Sequence, residues 1–281
     1  MHAIDLVDRI DELRLNTSTA QRIQVLWRQQ ANTAEVEQVV SLDPVLASRL
    51  LKLANSEYYG HGREVGTLHE AVMRIGIGST RDLAWALSLN AIGAEIPKHG
   101  AMLQQHGIEV AAAARLLARY VRKVPKGDAF VAGLLHDLGM QIMLVLEEST
   151  YVPMMERYGF DDIRLIGLER KKYGADHAQL TSQAMAKWNL PERLIEGVER
   201  HHTVRVMNRG RRDSGLALPA VLFLGERMAF LRRERCPHVE MSALLAEDAV
   251  NKIVGIDRER FQIAASVLDE EVSFVQKLLS L

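Results

Sequence analysis

The chain has 281 residues, 48% hydrophobic and 25% charged, enough apolar material for a sizeable core and far from the composition of a disordered protein. Thirty-five basic against 36 acidic side chains leave a net charge of −1, so no global charge draws it to nucleic acid or an anionic membrane. A single cysteine, Cys236, excludes an internal disulfide and fits a reducing compartment. Acids at Asp5, Asp8, Asp11 and Glu12 stand where a signal peptide needs an apolar stretch, and no window of about 18 uncharged apolar residues is seen, so a cytoplasmic location is expected.

Helical periodicity runs through nearly the whole chain and no segment reads as a strand, which predicts an all-α fold. Asp43 and Pro44 form a helix start, an acid cap with proline in the first turn. Val45, Leu46, Arg49, Leu50 and Leu53 then share one face, and the helix ends near Ala54-Asn55. Further helices are expected over 67–76, 79–93, 101–122 and 127–147, with Pro125 and Gly127 marking the last break. Segments follow near 149–158, 161–173 and 176–188. Asn189-Leu-Pro191 resets the chain into a helix ending at His201-His202. A loop from Thr203 to Leu218 holds Arg205, Arg209, Arg211 and Arg212 with Gly210 and Gly215. Pro219 opens a helix to about 235, and a final pair covers 241–252 and 257–280. The softest boundary, Ile92–Gly100, divides the chain into an N-terminal helical lobe (1–95) and a second lobe (96–235), with a short C-terminal extension (236–281).

Chemistry concentrates in Phe130-Val-Ala-Gly-Leu-Leu-His-Asp-Leu-Gly139. His136 and Asp137 sit where the pattern expects core residues, and burying them is costly unless they are paired or metal-bound. Adjacent positions on a continuous helix project about 100° apart, so both reach one metal only if that helix presents its edge. His106 on the preceding helix, His177 at a helix start, His201 and His202 at a helix end, and Glu226 beside a buried stripe complete the candidate set. Imidazole and carboxylate converging from several helices suit a divalent first-row metal, iron, manganese or zinc, as one or two ions. Taken singly, each has an ordinary reading: a satisfied core histidine, a helix C-terminus favoured by the dipole, or Glu226 pairing with Arg227 or Arg232.

These residues carry a resemblance. From about residue 18 to 230 the chain resembles the HDOD family, bacterial relatives of the HD-domain phosphohydrolases. In the first lobe the likeness rests on Ser41-Leu-Asp-Pro-Val-Leu-Ala-Ser-Arg-Leu-Leu-Lys-Leu-Ala-Asn-Ser-Glu-Tyr-Tyr-Gly60, on Glu70-Ala-Val-Met-Arg-Ile-Gly76 and on Arg81-Asp-Leu-Ala84. In the second it rests on Ala132-Gly-Leu-Leu-His-Asp-Leu-Gly139, Gly174-Ala-Asp-His177, Trp188-Asn-Leu-Pro-Glu192 and His201-His202. It implies an HD-like helical bundle with a packed N-terminal lobe. HD phosphohydrolases hold metal through a His, the His-Asp pair and a later Asp, and their cyclic-dinucleotide phosphodiesterase relatives add histidines and a Lys after His-Asp-x-Gly. Carried onto this chain, these fall on His106, on His136 and Asp137, and on His177, His201 and His202. Met140 stands where active relatives have Lys, and Glu226 stands about where the late Asp is expected.

Since HDOD proteins are mostly regarded as non-catalytic signalling modules, the leading expectation is one that binds a protein partner or a small phosphate-containing ligand without turnover. The first alternative is a metal-dependent phosphohydrolase acting on a nucleotide or cyclic dinucleotide, with Asp137 as its catalytic carboxylate. The second is a scaffold whose buried polar cluster only fixes helix register. Arg205 to Arg212, with Arg227, Arg232, Arg233 and Arg235, form a local basic excess that reads as an anion site, an acidic partner's dock or a solvated face. Tyr58-Tyr59-Gly60 and Trp85 are candidates to line a ligand cleft or simply to pack, and the methionines read as core filler. No sequence signature of a receiver domain, a diguanylate cyclase or a DNA-binding helix-turn-helix is found.

Overall fold

The structure is a computed structural model that describes residues 3–13, 18–56, 59, 63–89, 92, 96–159, 163–207 and 214–279. Tyr58, Gly60, Arg209, Gly210, Arg211 and Arg212 lie outside the described residues. Among those described the secondary structure is entirely helical. Contacts group the chain into two units that interleave along the sequence: Met1–Arg14 with Asn90–Val272, and Leu15–Leu89 with Ser273–Leu281. The opening and closing segments thus each join a unit distant in sequence.

After α1 (Ala3–Asp8), which belongs to the larger unit, the smaller unit holds α2 (Ser18–Arg28), α3 (Thr33–Ser41), α4 (Pro44–Ala54), α5 (Leu68–Ile75) and α6 (Ile77–Leu89). Its helices start where the sequence offers caps. Asn32 and Glu35, and again Thr67 and Glu70, make reciprocal capping boxes, and the Asp43 side chain accepts from the Leu46 N–H ahead of Pro44. Val36, Val40, Leu50 and Val72 are fully buried in an apolar core. Trp85 is 2% exposed and is part of that packing. The last turns of the chain join this unit, where the Arg49 guanidinium donates to the Leu279 carbonyl at 2.5 Å.

The larger unit is built on α7 (Pro97–Ala118), which packs against α8 (Lys126–Leu135) and α15. Between them in the chain lie α9 (Leu138–Leu146), α10 (Glu148–Tyr158), α11 (Ile163–Tyr173), α12 (His177–Lys187), α13 (Glu192–Glu199) and α14 (Val204–Met207). There follow α15 (Ala217–Arg233), α16 (His238–Glu247), α17 (Asn251–Val254), α18 (Arg258–Ser266) and α19 (Leu268–Leu279). The alanine run 111–114 of α7 is fully buried, and it lets neighbours approach at backbone distance. A Cβ at Gly133 would lie 2.6 Å from the Ala111 Cα, so α8 sits this close only because position 133 is glycine. The apolar stretch Lys126–Leu146 is long enough to cross a membrane by composition, yet 89% of it is buried inside the protein.

Three expected helices are broken in the structure, one of them the run 241–252, which extended backbone at Asp248 divides between α16 and α17. The run 127–147 is interrupted at His136-Asp137, where Asp137 adopts φ −104° and ψ 21° and a new helix starts at Leu138. Neither residue is a helix breaker. The break is a tertiary effect: the Gly139 N–H donates to Thr181 Oγ1 at 2.7 Å, and a Cβ at Gly139 would collide with the His177 carbonyl. The run 257–280 is likewise divided at Val267.

Candidate metal centre

The break between α8 and α9 changes the geometry of the His-Asp pair. The two side chains need not share a helix edge, because the turn aims both into one buried space. His136 is fully buried and Asp137 nearly so. Thr181 fastens the turn to α12, its hydroxyl lying 3.2 Å from the His136 carbonyl and 2.7 Å from the His177 carbonyl.

The two oxygens of Asp137 face different histidines. Oδ2 lies 3.3 Å from His106 Nε2 on α7 and 3.1 Å from His136 Nε2. Oδ1 lies 3.4 Å from His177 Nε2 at the start of α12 and 3.8 Å from His201 Nε2 in the turn after α13. His202 enters beside them, its Nε2 2.6 Å from His177 Nε2 and its ring stacked on His201 with centroids 3.8 Å apart. Glu226 of α15 joins His136 and His201. All seven candidate residues therefore fall into three overlapping groups: Asp137, His177, His201 and His202; His106, His136 and Asp137; His136, His201 and Glu226. Within each group the ligand atoms lie within 4.8 Å of one another.

Hydrogen bonds behind the rings decide which nitrogen is available. His136 Nδ1 donates to the Gly133 carbonyl at 2.9 Å and His201 Nδ1 donates to the Val198 carbonyl at 2.5 Å, so both direct Nε2 inward. His177 Nδ1 donates to Glu169 Oε2 at 2.7 Å; the same oxygen accepts the His177 backbone N–H, while Glu169 Oε1 accepts from the Tyr151 hydroxyl at 2.6 Å. Glu169 and Tyr151 are fully buried. His106 is held the other way round. Arg233 Nη1 lies 2.9 Å from its Nδ1, and since a guanidinium only donates, that nitrogen must accept.

Charge follows this wiring. Burial alone would raise the Asp137 carboxyl, but the charge of His136 and hydrogen bonds from His106 and His136 hold it well below the usual carboxylate range. Burial works against protonation of His136 and His177. Asp137 nevertheless keeps His136 raised, and Glu169 pushes His177 up to about 10. Burial, with His136 nearby, drives His201 down to about 3; burial with His201 and His177 holds His202 well below its usual value. A doubly protonated His177 thus donates its Nε2–H to His202, and a proton sits between two nitrogens that a cation could share.

The donor set fits a divalent ion. Asp137 Oδ1 and His201 Nε2 are buried and have no hydrogen-bond partner among the described residues, an arrangement that costs about 1–3 kcal/mol per group unless something binds there. Imidazole nitrogens with one or two carboxylates suit iron, manganese or zinc better than the all-oxygen shells of calcium or magnesium.

The family model described as the HDOD domain matches residues 14–204. The chain belongs to the HDOD family. Among solved structures, this HDOD chain is similar over 98% of its length to a protein of Shewanella amazonensis SB2B named as a candidate phosphohydrolase, with TM-score 0.72, 24% identity and 98% of that chain covered. An HDOD domain protein of unknown function from Geobacter sulfurreducens matches 98% of the chain at TM-score 0.71 and 22% identity, with 96% of its own length covered. Both likenesses establish the helical fold. An uncharacterized protein of Treponema pallidum (strain Nichols) is 24% identical over 204 residues, 72% of this chain. The chain spans 40% of the length of that relative.

Sequence reasoning missed Glu169, Tyr151 and Glu109, and named Arg233 only within a basic excess, not as the donor that orients His106. Glu169 had a readable signal. Leu165, Glu169 and Tyr173 recur every fourth residue on α11 and all are fully buried, so a carboxylate stands in a core stripe, as Asp137 does.

Proposed function

We propose that this HDOD protein is a divalent-metal-dependent phosphohydrolase of a signalling pathway, acting on a phosphate ester at the centre around Asp137. The observation that carries the reading is the splayed Asp137 carboxylate, with two histidines on Oδ2 and three on the Oδ1 side. His106 and His136 would hold one ion, and His177, His201 and His202 a second, with Asp137 common to both and Glu226 at the edge. A bound divalent ion supplies Lewis-acid charge for a phosphoryl oxygen and acidifies water. The protein's own contribution is position: carbonyls of Gly133 and Val198 fix two rings, Glu169 fixes a third, and burial strengthens each electrostatic contact. The phosphohydrolase name of the Shewanella protein agrees with this reading.

One observation favours binding without turnover. Met140 is fully buried where catalytic relatives carry a Lys. A missing ammonium there removes a contribution of about 2–4 kcal/mol, if one lost oxyanion donor is a guide. The test is elemental analysis of full-length protein purified without affinity nickel, followed by assay of p-nitrophenyl phosphate and bis(p-nitrophenyl) phosphate with added manganese. Bound metal with hydrolysis that Asp137→Ala abolishes supports the phosphohydrolase. Bound metal without hydrolysis of any ester selects the signalling module that lacks turnover. Protein that binds no metal under any loading condition leaves the polar cluster a structural role.

A further inference from the structure

The basic excess near the end of α15 is not a solvated helix face but one wall of a cleft. Beyond Arg233 the chain turns through Arg235 and Cys236 into Pro237, which precedes α16. Between this turn and the α18–α19 junction lies a cavity of about 550 Å³ whose lining includes Arg232, Arg233, Arg235, Cys236, His238 and Asp269. Three guanidiniums face it against one lining carboxylate, Asp269, which Arg232 Nε holds at 2.6 Å. Behind the wall the buried Glu109 accepts from Arg232 Nη1 at 3.0 Å and from Arg233 Nη1 at 3.2 Å. Arg235 is exposed and makes no ion pair among the described residues. No side chain caps the start of α16, and His238, its first residue, lines the cleft. The residues that line the cleft all lie beyond residue 204, outside the segment that the HDOD model matches.

Planar guanidinium forks in a concave wall match phosphate oxygens, which accept two parallel N–H bonds from each. The position of Arg233 adds a consequence, because the same Nη1 that reaches Glu109 also donates to His106 Nδ1 at 2.9 Å. We propose that the cleft binds a phosphate-bearing small molecule through Arg232, Arg233 and Arg235, and that the metal centre reads its presence through the Arg233–His106 hydrogen bond. An anion competing for Arg233 releases His106 Nδ1. Nδ1 is then no longer committed as an acceptor and can carry the ring's proton when a cation takes Nε2. The link to the centre rests on the metal reading given above; the cleft itself does not.

Cys236 makes the test local, because it is the chain's only cysteine and lines the cleft. Alkylation of full-length protein by N-ethylmaleimide is followed by intact-mass spectrometry, with inorganic phosphate as the probe and sodium chloride at matched ionic strength as the control. Phosphate at about nine times its dissociation constant is expected to slow alkylation about tenfold, since a tenth of the clefts then stay empty. Asp137→Ala keeps that protection, Arg235→Ala loses it, and Arg235→Lys restores part of it. The site is overturned if phosphate protects no better than chloride, if Arg235→Ala is protected as well as the parent, or if Asp137→Ala abolishes protection, which would place the anion at the metal centre. Histidine-nitrogen NMR of isotope-labelled, chelator-treated protein tests the link separately. Phosphate is expected to shift the His106 Nδ1 resonance, as that nitrogen loses its arginine donor, in the parent but not in Arg235→Ala. An unchanged His106 in a protected cleft overturns the coupling, whether or not the protein hydrolyses any ester.

Discussion

The two sides of Asp137 are built from the same ligands but backed by opposite partners. On the Oδ1 side, His177 and His201 donate their outer Nδ1–H groups to a carboxylate and a carbonyl, so each turns Nε2 towards the centre, bare in His201 and carrying a proton for a cation to displace in His177. On the Oδ2 side, His136 does the same against Gly133, but His106 accepts from Arg233 and so keeps its proton on Nε2 when neutral. A ring backed by an acceptor is a ligand in waiting, whereas a ring backed by an arginine is a donor to Asp137. The difference teaches that identical residue types do not make equivalent metal positions. The outer hydrogen bond, not the imidazole, is therefore expected to make the Oδ1 side the tighter of the two.

The largest effect should come from the residue both sides share. Asp137→Ala is expected to reduce metal content to background at both positions by elemental analysis, because Asp137 faces His106, His136, His177 and His201 at once whereas Glu226 groups only with His136 and His201. Survival of a full metal complement would break the comparison at its root. Glu169→Gln comes next and acts on one side only. Its one amide oxygen can still accept from His177 while the amide NH2 faces the Tyr151 hydroxyl, and the charge that holds His177 in place is gone. Manganese affinity of the tighter position is expected to fall about 10–100-fold, as for other outer-sphere carboxylates, with the weaker position unchanged in the same titration by electron paramagnetic resonance. Equal loss at both positions would show that the sides are not separately wired.

The residues of the candidate centre were legible in the sequence because their chemistry is out of place in apolar helices. His136 and Asp137 stand between Leu135 and Leu138, and no packing argument accounts for them. The arrangement was not legible. The apolar pattern runs unbroken through 127–147, and the turn that aims both side chains inward is imposed from outside by Thr181 and by the contact of Gly139 with α12. The Arg233–His106 bond spans 127 residues of sequence and joins two common residue types, so nothing local announces it. The all-α reading survived because helical periodicity is a property of each segment alone. The placement of α1 and of the last residues of α19 did not follow from periodicity, since contacts between distant segments decide it.

Arg233→Met sharpens the asymmetry with the opposite sign. Removing the guanidinium frees His106 Nδ1 to carry a proton, so the weaker metal position should gain about threefold to tenfold in affinity, an energy of about 0.7–1.4 kcal/mol. An arginine that merely supported the fold would give a loss instead.

Tyr151→Phe is the mildest break. The hydroxyl donates to Glu169 Oε1 and touches no histidine, so its removal leaves the Glu169–His177 bond in place while stripping a buried carboxylate oxygen of its hydrogen-bond donor. Loss of that donor should lower unfolding stability by about 1–3 kcal/mol, measured by urea denaturation of the metal-free protein. Metal affinity at the tighter position should change far less than in Glu169→Gln, because the carboxylate charge that fixes His177 is still there. If Tyr151→Phe weakened metal binding as much as Glu169→Gln, the orientation of His177 would depend on the whole buried chain from Tyr151 through Glu169. The outer hydrogen bond would then be only the visible end of a longer device.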